Sequence, residues 1–203
     1  GQSSNPETMN IARYDFDNVI LFDSPGLGDG YEADLRHAKN STDKLVEKKP
    51  SGDLLIDLVL VILDGSSRDL GTSYELINKV IIPNLGQDKS RLLIAINQAD
   101  QAMKGRHWND DANQPEQKLI DFLNEKVDST KQRIYEATKV NVEPIYYAAG
   151  YKDGDEQQYP WNLSKLLAHI LKHTPKKKRI LISQPLNDNP KVWESDDRLE
   201  KYQ

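Results

Sequence analysis

Three short stretches carry residue types that could do chemistry. In the run from Asn18 to Gly30 an apolar segment ends abruptly in Asp23 and passes into Ser24-Pro25-Gly26, a turn sharpened by Pro25, Gly26, Gly28 and Gly30. A carboxylate there stands at the carboxyl end of a strand, where open α/β sheets meet their ligands. The competing reading is a turn Asp that bonds its own backbone. A second apolar segment runs directly into Asn97-Gln98-Ala99-Asp100, for which the competing reading is a helix cap. The third stretch is Tyr147-Ala148-Ala149-Gly150, whose small residues let the backbone approach a ligand closely. His169 and His173 are spaced to face one metal from a helix, but no Glu or third ligand accompanies them. They read as ordinary helix residues, one of them near the C-terminal end of the dipole where His is favourable. With zero Cys, disulfides, thiolate catalysis and Cys-based metal sites are excluded together.

Regular elements must position these groups. Ile11 to Phe16 and Val19 to Asp23 read as an antiparallel hairpin, with Thr8 in the loop just before it. Leu35 to Lys49 has the spacing of an amphipathic helix that Pro50-Ser51-Gly52 ends. Leu54 to Leu63 is a strand, uninterrupted by polar residues from Leu58, the pattern of a parallel strand covered on both faces. Asp64 after it reads as a turn residue. A packing helix over Leu70 to Ile82 stops at Pro83, and Arg91 to Ile96 is the next apolar strand. Gln101 to Pro115 is a polar insertion around Trp108 with no assignable element. The spacing then predicts one long helix over Glu116 to Val140, a short strand at Pro144 to Ala148, and a closing helix from Asn162 to His173.

Composition bounds the rest. A chain of 203 residues, 37% hydrophobic and 29% charged, can bury one sizeable core. The expected division is one domain over 1–175 and a polar tail or linker over 176–203. The longest uninterrupted apolar run, Leu58 to Leu63, is far short of the roughly 20 residues of a membrane span. No membrane span and a cytoplasmic location are therefore expected. A net charge of −5 offers no basic face overall, so contact with nucleic acid or a ribosome would need a local patch.

The order of these strings carries a resemblance. Asp23-Ser24-Pro25-Gly26 resembles the third signature box of P-loop GTPases, Asn97-Gln98-Ala99-Asp100 the fourth, Tyr147-Ala148-Ala149-Gly150 the fifth, and Thr8 holds the place of the first-switch Thr. The chain looks like a GTPase of the translation-factor class and Era type, most like the bacterial YfjP/YeeP-like proteins. That resemblance implies an α/β fold: a doubly wound, mainly parallel sheet with an antiparallel edge hairpin and helices on both faces. It also implies GTP or GDP as ligand with Mg²⁺ as cofactor. Asp23 would hold the metal through water, with Gly26 beside the nucleotide, and Thr8 would ligate the metal directly. Asp100 would accept hydrogen bonds from the N1 and N2 donors of guanine, a pair that adenine lacks. Asn97 would tie the box to neighbouring loops, and Gln98, in place of the usual Lys, would cover the ring without a charge. A backbone N–H at Ala148 or Ala149 would meet the guanine O6. Leu27 stands where many small GTPases carry a water-orienting Gln, and a hydrocarbon cannot do that.

One box is missing. No Gly-x-x-x-x-Gly-Lys-Ser/Thr occurs in the sequence, and nothing after Gly150 supplies it as in permuted GTPases. The resemblance therefore implies a GTPase domain lacking its first strand and phosphate loop, hydrolysing GTP in its complete form. The alternative is a pseudo-GTPase that keeps the fold as a non-enzymatic interaction module. A protein partner or a homodimer is compatible with either.

Overall fold

The computed structural model describes residues 42–173 and, for the backbone, the strands at 12–15 and 20–23. The expectations that rest on Thr8, Gly26, Leu27, most of the 35–49 helix and the 176–203 tail lie outside the described residues. Strands β1 (Ala12–Asp15) and β2 (Ile20–Asp23) pair antiparallel, with Ala12 opposite Asp23. The expected hairpin is thus present at the backbone level, but it stands as its own two-stranded sheet.

The centre is a parallel sheet of three strands in the order β3 (Val59–Asp64), β4 (Leu92–Asn97), β7 (Ile145–Tyr146). β4, apolar from Leu92 to Ile96, is buried along that length, as a central strand covered on both faces must be. Side chains alternate across the pleat. Val61, Leu63, Ile94 and Ile96 face one core together with Ile77, Leu119, Leu123 and Ile134. Ala95, Ile145 and Tyr147 face the other, against Leu163, Leu166 and Ile170.

The first core is covered by two helical segments. α1 (Gly71–Leu76) passes into a π turn at Ile77–Ile81 and a 3-10 turn at Ile82–Asn84, so the chain coils through Pro83 rather than stopping before it. α2 (Gln117–Thr138) buries Leu119, Leu123, Thr130 and Ile134, and ends with Lys139 in the left-handed region at φ 61°. The hydroxyls of Tyr74 and Thr130 share a buried hydrogen bond of 2.8 Å that joins α1 to α2. The second core is covered by α3 (Leu163–His173), whose last turn carries Lys172 and His173 where cations suit the dipole. Helices on both faces of a parallel sheet make this an α/β fold.

Three expectations are corrected. From Asp43 the chain is a single 3-10 turn to Leu45, and Lys48 then bridges Leu54, so no helix reaches Lys49. The strand expected from Leu54 starts at Val59, because Leu54 is held by that bridge instead. Among the described residues one face of β3 is covered only in part: Leu60 packs on the second core, but Ile62 is 48% exposed in mid-strand, while Leu63 on the other face is 1% exposed. The insertion after Asp100, unassigned by sequence, folds into a two-residue ladder of β5 (Trp108–Asn109) and β6 (Gln114–Pro115). Trp108 sits edge-on to Trp161 at 5.7 Å, and Trp161 stacks on Tyr146 at 5.8 Å. This aromatic stack fixes the insertion to the end of the sheet.

Arg91 secures the opposite end. Its buried guanidinium donates to the carbonyls of Ile56 at 2.7 Å, Leu45 at 2.8 Å and Leu85 at 2.7 Å. Three chain segments are thereby tied to the entrance of β4.

Candidate functional site

Loops at the carboxyl ends of β3, β4 and β7 converge, the place where open α/β sheets bind ligands. After β3, Asp64 Oδ1 accepts from the N–H of Ser66 at 2.9 Å and from its hydroxyl at 2.6 Å. Asp64 is a turn residue, as its sequence context implies. Lys126 of α2 donates to the carbonyls of Gly65 at 2.8 Å and Ser67 at 2.7 Å, which pins this turn to the helix. Burial lowers the Lys126 pKa, and the nearby Asp64 carboxylate opposes that shift.

After β4, Gln98 takes a left-handed conformation at φ 58°, with its N–H donating to Asn97 Oδ1 at 2.7 Å. The chain then makes a 3-10 turn over Ala99–Gln101. The main chain of Asn97 joins this loop to the one after β3: its carbonyl accepts from Gly65 N–H at 2.8 Å. Ala99 is fully buried and its N–H donates to the Tyr147 carbonyl at 3.1 Å, so the β4 and β7 loops are clasped as well. Burial pushes the Tyr147 phenol pKa up.

The clasp makes a cleft of about 440 Å³ lined by Asn97, Gln98, Asp100, Gln101, Ala149, Gly150 and Tyr151. Asp100 is 9% exposed and has no cation beside it among the described residues. Its Oδ2 accepts instead from two neutral amides, Gln101 Nε2 at 3.1 Å and Gln158 Nε2 at 3.2 Å. The structure thus brings Asn97, Gln98, Asp100 and Ala149 to one cleft. Ala148 does not line it: the residue is fully buried, and its N–H donates to the Trp161 carbonyl at 3.0 Å. Between Ala149 and α3 the chain inserts a hairpin, β8 (Tyr151–Asp153) and β9 (Glu156–Gln158). Tyr151, Gln101 and Gln158 were not legible as site residues from the sequence. The Gly154-Asp155 pair was the signal for the hairpin, a two-residue loop with Gly154 at φ 58°.

Asp23 ends β2, at the backbone position the sequence gives it, and its side chain is outside the described residues. The Mg²⁺ ligands implied by the resemblance are Thr8 and Asp23, and among the described residues no group of three His, Cys, Asp or Glu could hold a metal. The side chains of both implied ligands lie outside the described residues. His169 and His173 lie against a separate recess of about 100 Å³ at the other end of the strands. Their rings are 4.8 Å apart, and His173 Nδ1 bonds the His169 carbonyl at 2.9 Å, a helix-end contact. Among the described residues no helix is long and apolar enough to cross a membrane.

No family model, no curated protein and no solved structure matches this chain.

Proposed function

We propose that the cleft beside Asp100 binds a guanine base, and that the chain is a guanine-nucleotide-binding domain of the P-loop GTPase type. The observation that carries this reading is the state of Asp100. It is a buried carboxylate with no ion pair among the described residues, turned into a cleft and already engaged with N–H donors on one oxygen. Guanine presents an N1–H and an N2–H on one edge, which such a carboxylate accepts as a pair; adenine presents a donor beside an acceptor. The position at the carboxyl ends of β4 and β7 supports the same reading. Ala149 is exposed on the cleft wall, where a small residue lets the backbone come close to a base.

Hydrolysis belongs to this reading only in a form that also has a phosphate-binding loop, because the sequence here contains no such motif. The test is selectivity for the base alone: guanosine should perturb the NMR signals of Gln98, Asp100 and Ala149, and adenosine should not. Equal response to both nucleosides would refute the reading.

A second reading has its own observation. Ile62 stands half exposed in mid-strand, and β3 has one hydrogen-bonded neighbour, β4, among the described residues. A sheet edge of this kind suits an interaction module that takes up another segment. The same titration separates the readings, since a module without nucleotide chemistry would ignore guanosine.

A further inference from the structure

The hairpin that follows Ala149 is fixed at its root. Gly150 lies at φ 76°, and a Cβ there would meet the Gln158 carbonyl oxygen at 2.5 Å and Pro160 N at 2.8 Å, so backbone packs on backbone. Ala148 and Trp161 exchange two main-chain hydrogen bonds, at 3.0 and 2.9 Å. Asn113 Nδ2 donates to the carbonyls of Tyr159 at 3.0 Å and Pro160 at 3.2 Å. The backbone of Gln158 is therefore held in place, and its side chain is the part left to turn.

Tyr151 and Gln158 are directly opposite in the hairpin register, so their side chains share one face. Tyr151 lines the cleft, and the Gln158 amide reaches Asp100 Oδ2 at 3.2 Å. We infer that Gln158 is an internal stand-in for the base: its amide holds the Asp100 carboxylate until a guanine edge displaces it. The inference rests on the base-site reading above and adds a residue that sets affinity and selectivity.

The physics is that of a competitor built into the chain. A buried carboxylate left without donors is costly, and the Gln158 amide, beside that of Gln101 on the same oxygen, relieves part of that cost while the cleft is open to solvent. Guanine brings two donors on one edge and so gains by the exchange. A base with a single donor replaces like with like and gains little. Gln158 thereby raises the threshold that a ligand must pass, most of all for the wrong base.

The experiment is an NMR titration of the 203-residue chain with guanosine, following the ligand and the Gln158 side-chain amide, in the wild type, Gln158→Ala and Asp100→Asn. Removing the competitor should tighten guanosine by roughly two- to tenfold, the range expected for one hydrogen bond that water can replace. In the wild type the Gln158 amide signal should shift as guanosine saturates, and Asp100→Asn should lose guanosine. Unchanged or weaker binding in Gln158→Ala, or a Gln158 amide that does not respond, overturns the inference. The base-site reading then survives if Asp100→Asn still loses guanosine. Failure of both the wild type and Gln158→Ala to bind guanosine overturns the two together.

Discussion

The N–H of Gly65 donates to the carbonyl of Asn97 at 2.8 Å, and a Cβ at Gly65 would collide with that same oxygen. The loops after β3 and β4 can close on each other only because residue 65 has no side chain. Gly65→Ala must push Asn97 outward, and with it the turn that carries Asp100. The expected cost is about 1–3 kcal/mol of stability, in the usual range for a clash that the backbone must absorb. Urea unfolding checks this, and an unchanged midpoint would show that the two loops do not need their close approach.

Arg91 offers a second test. Its three carbonyl contacts hold the 45–56 segment and the turn at Leu85 to the start of β4. Arg91→Met keeps the length of the stem and removes every donor, leaving the three carbonyls to find water or go unpaired. A loss of about 2–4 kcal/mol is expected, below the sum of separate charge-assisted bonds because the three act as one unit. A loss under about 0.5 kcal/mol, the range of an ordinary surface substitution, would mean the guanidinium organises nothing.

Those two contacts mark the limit of what the sequence makes legible. β4 and the 117–138 helix are plain in it, because a buried apolar run and a long 3.6-residue period each leave one reading. The Asn97–Asp100 and Ala149 strings are also legible, since strand ends can be located once the strands are. The exposure of Ile62 is not, because an apolar run looks the same whether one face or both are covered. The contacts of the two small hairpins are hidden for a different reason: Gly154-Asp155 marks one turn, but what holds Trp108 or Gln158 in place is distant in sequence. Arg91 reads as the first residue of a strand, and its three carbonyl partners follow from tertiary folding alone.

His169 makes stability depend on pH. Burial foremost, and then His173, Lys172 and Lys165, lower its pKa from 6.5 to about 4, with Glu143 opposing. The unfolded chain therefore takes up a proton at this ring near pH 6.5 while the folded chain does not. Stability from this group is full above pH 6.5 and is lost as pH falls toward 4. The ring is partly exposed, so solvent trims the effect to about 1–2 kcal/mol. His169→Asn should flatten this part of the profile of unfolding free energy against pH; an unaltered slope between pH 6.5 and 4 would contradict the assignment.

Affinity for the whole nucleotide is expected to be low. Tight binding of GTP rests largely on phosphates held by successive backbone N–H groups and a Lys, and the motif that supplies them is absent from these 203 residues. Losing a few charge-assisted hydrogen bonds of about 1.5–3 kcal/mol each lowers affinity by several powers of ten. Calorimetric titration of this chain with GTP and Mg²⁺ should give no submicromolar binding. A submicromolar constant would mean that other residues build a phosphate site.

The central claim is that Asp100 reads guanine, and exchanging the donor and acceptor roles at that residue tests it most directly. Asp100→Asn replaces an acceptor-only carboxylate with an amide that can donate, while nearly preserving shape. Guanine then loses an acceptor for its N1 and N2 donors, whereas xanthine, with an oxygen in place of the N2 amine, gains a donor to that oxygen. The measurement is the ratio of guanosine to xanthosine affinity in the wild type and in Asp100→Asn, from ligand-observed NMR. A ratio above one in the wild type that falls by at least tenfold, about 1.4 kcal/mol, and inverts in the variant is the predicted result. Equal loss of both nucleosides, or no loss of either, would contradict it.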